Sequence, residues 1–506
     1  VAAAMVAVLA RQLLDSKLSS SSRSNASARS ASALALFAGL VFAVHPVTVE
    51  AVASLSGRAE ILAALFGLSA HLLALHDQSF LGLLLATAAV FSKEVGFTAV
   101  VVVVVHAYFV KRNHSGVKTR NRLPAAAWRC LATAIAVIAM AAGFRLWFLH
   151  HRLQVSDTDN PLWSLQPGKT RLSRWLSTCF VNAKALGMLL LFPIAQCPDY
   201  SGQACPSIDS VLDARNLTSI AACSFAVLLV YGCTQQSIRA TGPALLWAAL
   251  PAALASNIFL RVGFCFAERV YYSSLVGVSL LLCLFAFSVL EMLDQRHIIE
   301  LSEVGEENEE ENEGGEKKEK TKKKKGVIQK EHASSEVRES PYRGPTAHRF
   351  LLAAFAVLIL SYATTRTLQR TRTWASNADL WSSAVRHCEP TSRIVNNFGK
   401  VLQRSGKSQE AWVQFERARA LDPTSALPYF NLGMLAAADQ RHQEALLYYR
   451  QASKRNPYLV GAFNNAGASH LALGDKVSAA VAFEQALKLN PSDQSIRANL
   501  RIALRI

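Results

Sequence analysis

Charged side chains gather at five places in the first part of the chain, each beside a run of apolar residues. His45-Pro46-Val47-Thr48-Val49-Glu50 closes one apolar run, Gly57-Arg58-Ala59-Glu60 opens the next, and Ser92-Lys93-Glu94-Val95-Gly96 separates two more. Asp159-Asn160-Pro161 opens a long polar connection, and Arg261 with Glu268-Arg269-Val270-Tyr271-Tyr272 brackets a further turn. Ionisable groups within or beside membrane spans are costly and so signal function by default. Arg58, Lys93 and Arg269 are the cation types that hold a phosphate, while Glu50, Glu60 and Glu94 are carboxylates able to take a proton from an attacking group. Singly, each motif has a plainer reading. Lys93 and Glu94 read as a helix-end pair, Arg58 and Glu60 as a local salt bridge, and His45 as a satisfied polar residue beside a proline kink. Placed at one depth, they fit a cavity for a lipid-linked phosphate at the bilayer edge.

That depth depends on the elements between the motifs. Apolar runs suited to membrane-crossing helices, each needing roughly 20 residues, centre on 1 to 14, 32 to 44, 61 to 76, 80 to 92, 97 to 110, 131 to 149, 217 to 233, 242 to 259, 270 to 293 and 349 to 363. The run at 180 to 194 carries Lys184 and ends at Phe192-Pro193, which suits an interfacial or re-entrant helix; as a full span it would invert everything after it. Ten or eleven spans are therefore expected. The loops 11 to 30 and 111 to 129 and the insert 294 to 348, with Lys322 to Lys325, hold the basic residues, and the positive-inside rule puts them in the cytosol. Loops 45 to 60, 93 to 96, 150 to 216 and 260 to 269 then share the opposite side with everything after the last span. The net charge of +17 is distributed between hydrophobic runs in this way, which argues against a nucleic-acid partner.

From Leu301 to Gly344 the chain runs from EENEEENEGGE into KKEKTKKKK, a composition too polar to build a core, so the insert reads as a disordered cytosolic linker. The nine cysteines include no CxxC pair and no histidine stands at metal spacing, so no metal is expected. Cys197 and Cys205 share one loop, and two readings stay open: a disulfide if the loop faces an oxidising lumen, or two free thiols. Asn216-Leu217-Thr218 is a glycosylation sequon on the non-cytosolic side, close to a span; Asn25 and Asn113 head sequons on the cytosolic side.

After residue 390 the pattern changes to a strict repeat. Asn397 and Gly399 recur as Asn431 and Gly433 and as Asn465 and Gly467, 34 residues apart each time, with Ala411/Ala445/Ala479, Phe415/Tyr449/Phe483, Ala418/Ala452/Ala486 and Pro423/Pro457/Pro491 in step. This is the tetratricopeptide signature: small residues where paired helices touch, aromatics filling the gap to the next repeat, and proline ending the second helix. The units run 392–425, 426–459 and 460–493, with a partial fourth at 494–506 and a degenerate lead-in helix at 374–390 carrying Trp381. Asn397, Asn431, Asn465 and Asn499 fall on the first helix of their repeats, the helix that lines the concave face. An amide ladder there could grip a peptide main chain; the plainer reading is that Asn simply recurs in this repeat.

The fold class is all-α: a polytopic membrane domain at 1–293, the charged insert at 294–348, a last transmembrane helix at 349–364, then the repeat solenoid over 392–506. HPVTVEAV followed by GRAE, KEVG, DNP, LLLFPIAQCPDYS and SNIFLRVGFCFAERVYY, and finally the repeats, resembles the transmembrane and tetratricopeptide-repeat-containing (TMTC) protein O-mannosyltransferases in order over nearly the whole chain. The resemblance implies a GT-C-like membrane fold in the endoplasmic reticulum, with the repeats in the lumen. It implies transfer of mannose from dolichyl phosphate mannose, a donor substrate and not a cofactor, to Ser or Thr of luminal proteins held through the repeats. On that likeness His45, Arg58, Lys93, Glu268 and Arg269 would surround the donor phosphate, Asp159 and Asn160 would sit in the adjoining loop, and Glu50, Glu60 or Glu94 would be the candidate catalytic carboxylate. Such enzymes keep their key acid in the first luminal loop, whereas this chain starts at Val1 and reads as beginning at the second span. That acid is therefore absent from the sequence, and two readings stay open, a truncated chain or one that does not catalyse; Glu60 stands where the motif would have Asp. The alternative is a non-catalytic membrane scaffold or transporter with a tetratricopeptide docking arm. Paired Gly- or Pro-broken helices or inverted repeats would favour transport, and no internal symmetry is evident in residues 1 to 300.

Overall fold

The computed structural model describes residues 1–17, 25–54, 57–114, 170–191, 197, 208–234, 238–258, 267–313 and 347–504, with five isolated positions between 132 and 143. Among the described residues every regular element is a helix. The membrane half comprises α1 (Ala2–Lys17), α2 (Asn25–Val44), the short α3 (Thr48–Ala53), α4 (Arg58–Leu75), α5 (Ser79–Ser92), α6 (Phe97–His114), α7 (Arg171–Leu191), α8 (Asn216–Thr234), α9 (Ile238–Ala255), α10 (Tyr272–Glu313) and α11 (Ala347–Thr373). Two short 3₁₀ turns, Glu94–Gly96 and Glu268–Tyr271, interrupt this order. Among the described residues three stretches are long and apolar enough to cross a membrane, Arg58–Leu75, Glu268–Asp294 and Arg349–Thr373, and shorter apolar helices stand at Ala28–Val44, Ser79–Ser92, Glu94–His106, Asn216–Leu228 and Thr241–Ala255. The span expected at 131 to 149 lies outside the described residues apart from the isolated positions.

In lipid, helices associate by close packing rather than by escape from water, so small residues sit where backbones meet. Leu9 and Leu13 of α1, Phe42 of α2, Leu68 of α4, Val102 and Val103 of α6, Trp247 of α9 and Leu275 and Leu280 of α10 share one core. Trp247 lies against Gly67, where a methyl group would come within 2.7 Å of the indole, and its ring N–H donates to Nδ1 of His71 at 3.2 Å. Helix α7 spans the ambiguous run at 180 to 194 as far as Leu191. It carries buried Ser173, Ser177 and Thr178 together with exposed Leu172 and Trp175.

Two expectations change in this half. Helix α10 continues to Glu313, so the opening of the 294–348 insert is helical where a linker without structure was expected. Glu is a good helix former, and a helix already nucleated in the membrane propagates into such a run at little cost. Helix α11 likewise runs past the expected end at 364 to Thr373. Its outer face is apolar and exposed at Phe350, Leu351, Phe355, Val357 and Leu358. Ion pairs hold it against the α10 segment at both ends, Arg349 to Asp294 at 2.5 Å and Arg370 to Glu268 at 3.6 Å. At about 1.5 Å rise per residue the two arginines are about 31 Å apart, which matches a hydrocarbon core of about 30 Å.

The arm begins with α12 (Asn377–His387) and continues as helix pairs α13 (Ser392–Arg404) and α14 (Ser408–Leu421), α15 (Ala426–Ala438) and α16 (His442–Arg455), α17 (Val460–Ala472) and α18 (Lys476–Leu489), ending in α19 (Gln494–Leu504). The first helix of each unit starts at the residue the 34-residue frame requires. Each signature glycine abuts the aromatic of its own second helix: an added methyl would lie 2.6 Å from the Phe415 ring at Gly399 and 2.7 Å from the Tyr449 and Phe483 rings at Gly433 and Gly467.

Candidate functional site

Helices α4 and α5 form an antiparallel hairpin, so the start of α4 and the end of α5 lie at one end of the bundle. There Lys93 Nζ stands 3.5 Å from Glu60 Oε1, with Glu60 fully buried and Lys93 partly exposed. Two glycines make this possible. A methyl on Gly57 would overlap the Ala51 carbonyl, and one on Gly96 would overlap the backbone of Ala89. The glycines of the GRAE and KEVG motifs thus let the chain fold tightly enough to bring their charges together.

The 3₁₀ turn Glu268–Tyr271 adds a second and a third pair from consecutive residues. Arg269 donates to Glu50 twice, from Nη1 to Oε1 at 2.5 Å and from its backbone N–H to Oε2 at 3.1 Å. Glu268, fully buried, turns the other way to Arg370 of α11, which is 8% exposed. The fields of Lys93, Glu94 and Arg269 all reach the Glu60 carboxylate, so the Glu60–Lys93 and Glu50–Arg269 pairs belong to one electrostatic cluster. At the opposite end of the bundle Gln12 meets His76 at 2.9 Å and Arg349 meets Asp294.

The expected residues therefore divide into four groups. Glu50, Glu60, Lys93, Glu268 and Arg269 are drawn into ion pairs at one end of the bundle. Arg58 and Glu94 are exposed beside them, and among the described residues Arg58 has no ion pair. His45 is buried and shapes the turn between α2 and α3: its Nδ1 accepts from the Val47 N–H at 3.2 Å, and its carbonyl accepts from the Thr48 hydroxyl at 2.7 Å. Asp159, Asn160 and Arg261 lie outside the described residues. Arg370 is the member that the sequence did not single out; its signal was the cluster of Arg366, Arg370 and Arg372 at the tail of an apolar span.

Nearby loops dock on the same end. Asp209 accepts from the Ser173 hydroxyl, Ser177 Oγ accepts from the Ile208 N–H at 2.8 Å, and the Asn182 amide donates to the Ser256 carbonyl at 2.9 Å. Hydrogen bonds from Arg215 hold the half-buried Asp213 carboxyl down to about 2, and Arg215 also senses Glu389 at the root of the arm. Asn216, which heads the sequon, is buried, and its amide nitrogen donates to the Ser210 and Val211 carbonyls at 3.0 Å each, a geometry that leaves no room for a glycan. Cys197 is bonded to Cys388, 191 residues away, and not to Cys205, which lies outside the described residues. Proximity in sequence pointed to Cys205, but the fold brings the end of α12 to Cys197.

In the arm the amide ladder is partly used between repeats. Asn431 is buried, and its amide donates to Asn396 Oδ1 at 2.7 Å; Asn499 donates to Asn464 Oδ1 at 3.2 Å. Asn465 is half-buried beside Asn464 and bonds the Tyr449 hydroxyl, and Asn397 is half-buried on α13.

A family profile described as Protein O-mannosyl-transferase TMTC, DUF1736, matches residues 150–227, and a tetratricopeptide-repeat profile matches 427–458 and 460–493. The chain is 25% identical to Protein O-mannosyl-transferase TMTC3 of Mus musculus, covering 84% of this chain and 43% of that protein. It is 23% identical to Tmtc3 of Drosophila melanogaster, covering 86% and 46%, and 26% identical to TMTC3 of Homo sapiens, covering 84% and 43%. It thus spans a little under half the length of the curated relatives it matches. In its membrane half and in its repeats alike, the chain is similar to the TMTC protein O-mannosyl-transferases.

Proposed function

We propose that this chain is the membrane domain and first repeats of a protein O-mannosyltransferase that moves mannose from dolichyl phosphate mannose to Ser or Thr of luminal proteins in the endoplasmic reticulum. The observation that carries the reading is the start of α4. Arg58 is exposed there in the first turn, and Gly57 offers no side chain to cap the first N–H groups of an 18-residue helix. A helix N-terminus that lacks a side-chain cap among the described residues and has a cation in its first turn is a favourable place for an anion such as phosphate. Lys93 and Arg269 stand in the same cluster, each already paired with a carboxylate, which among the described residues leaves Arg58 as the cation available to an incoming anion.

In the reaction, the acceptor hydroxyl gives its proton to a carboxylate as its oxygen bonds to the anomeric carbon. The bond from that carbon to the phosphate oxygen breaks, with inversion, and dolichyl phosphate departs. Arg58 and the α4 N–H groups would hold the phosphate as its charge grows, which is where such contacts act most strongly. Among Glu50, Glu60 and Glu94, only Glu94 is exposed. It is the described carboxylate best placed to meet a hydroxyl entering from outside; Glu50 and Glu60 set the positions of Arg269 and Lys93.

The luminal placement of the arm is supported by Cys197–Cys388, a bond that needs an oxidising compartment and puts the loop and the arm's root on one side. The arm would present the acceptor polypeptide along its concave face, with Asn397, Asn465 and Asn499 as candidate contacts. The test is mass spectrometry of O-mannose on luminal proteins from cells lacking the gene and its relatives, rescued with wild type or Arg58→Ala. Restoration by wild type but not by the variant is expected. Unchanged O-mannosylation in the absence of the gene would favour the scaffold reading.

A further inference from the structure

The turn Glu268–Tyr271 is held from two sides by neighbouring residues: Arg269 binds Glu50 of α3, and Glu268 binds Arg370 of α11. Arg370 sits three residues before the end of α11, and its guanidinium lies 5.6 Å from the Trp374 ring centre, where the chain leaves the membrane for the arm. One helical turn earlier, the Thr367 hydroxyl donates to the Val44 carbonyl at 2.5 Å, which fixes α11 against the end of α2. The far end of the lead-in helix α12 is anchored separately, through Cys388 to Cys197. The arm is therefore rooted at two points, and one of them is a buried charge pair with a member of the candidate site on the adjacent residue.

We propose that Arg370 is a positioning residue: it holds the Glu268–Arg269 turn so that Arg269 stays on Glu50, and it links the root of the repeat arm to the cation cluster. The inference rests on the proposed transferase reading for its effect on catalysis, but the positioning itself does not. The chain of contacts is short and continuous, from Trp374 through Arg370 and Glu268 to Arg269 and Glu50. A merely structural ion pair would tolerate removal of both charges far better than removal of one, since only the single variant strands a buried charge. A positioning pair would not, because the turn would lose the contact that sets its register. Misplacement of a working group by about 1 Å is enough to cost roughly a hundredfold in rate.

The experiment uses the whole protein in lipid nanodiscs as wild type, Arg370→Lys, Arg370→Gln and the double variant Glu268→Gln/Arg370→Gln. Turnover is measured with dolichyl phosphate mannose and a luminal Ser/Thr-bearing acceptor domain. Independently, the exposure of Arg269 is read by arginine-selective labelling and mass spectrometry, with the Cys197–Cys388 bond in unreduced digests as the check on folding. The double variant should keep the disulfide, label faster at Arg269 and lose roughly a hundredfold in kcat with less change in acceptor KM. Arg370→Lys should recover most of both readouts. Unchanged Arg269 labelling in the folded double variant overturns the proposal, and so does wild-type kcat. Absence of transfer by the wild type, with Arg269 labelling still released by the double variant, would remove the transferase reading and leave the positioning role standing.

Discussion

Two cations that the sequence treats alike, Arg58 and Lys93, should fail in opposite ways when removed. Lys93 stands 3.5 Å from a fully buried carboxylate. At an effective dielectric constant of about 20, unit charges at that distance attract by about 5 kcal/mol. Stranding a buried charge typically costs about 3–5 kcal/mol, and since Lys93 is 31% exposed, water screens part of the attraction. An unpartnered buried carboxylate escapes part of that cost by taking up a proton, so a destabilisation of about 2 kcal/mol is expected for Lys93→Ala, with partial rescue by Glu60→Gln. Arg58 has no such partner among the described residues and faces outward, so Arg58→Ala should leave stability within about 0.5 kcal/mol of wild type. Its loss would instead appear in the chemistry, as a roughly 10²- to 10³-fold fall in turnover if it holds the leaving phosphate. Thermal unfolding of the whole protein in detergent and mannose transfer under the same conditions separate the two. Lys93→Ala as stable as wild type, or Arg58→Ala unfolding well below it, would refute the reasoning.

Three further outcomes follow from local geometry. Peptide mapping without reduction should recover Cys197 joined to Cys388, and Cys388→Ser should leave Cys197 open to a maleimide; recovery of a Cys197–Cys205 peptide would contradict the structure. Gln440 holds a φ of 60° where the equivalent positions of the flanking repeats have Gly406 and Gly474, so Gln440→Gly should stabilise the arm by about 1 kcal/mol in urea denaturation, and a loss of stability would count against it. The Asp475 carboxylate accepts from the Ser478 hydroxyl and from the Ser478 N–H at the start of α18, which together hold its pKa below the ordinary value. Its contribution is then full above the unfolded carboxylate value of about 4 and lost as pH falls through the lowered folded value. Asp475→Asn should weaken that acid dependence between pH 5 and 2, as followed by circular dichroism (about the range where carboxylates titrate).

The repeat frame was legible because its determinants are local: a glycine, the aromatic that packs on it and the proline that ends the unit recur within one supersecondary element. The helix starts at Ser392, Ala426, Val460 and Gln494 keep the predicted spacing. The charged motifs were also visible, since a carboxylate or cation beside an apolar run stands out in any membrane sequence. Their partners were not. Glu60 finds Lys93 across a hairpin instead of its neighbour Arg58, and Glu268 finds Arg370 from a helix beyond the charged insert. The same holds for Cys388, whose bond to Cys197 depends on where α12 comes to rest. Contacts of that separation are set by packing of the whole bundle, which residue spacing does not encode. The helical continuation to Glu313 escaped for a different reason: a polar composition excludes a core but does not exclude a helix extended from one already formed.

The central claim is that the cluster at the start of α4 serves transfer of mannose from a phosphate-linked donor. The direct measurement is transfer of labelled mannose from dolichyl phosphate mannose to an isolated luminal acceptor domain by the purified whole protein in nanodiscs, followed by mapping of the modified residues. The account predicts mannose on Ser or Thr, joined with inversion at the anomeric carbon, and a roughly 10²-fold or larger loss with Arg58→Ala in protein that retains its fold. Folded wild-type protein that transfers no mannose from this donor, or an Arg58→Ala variant that transfers it at the wild-type rate, would contradict it.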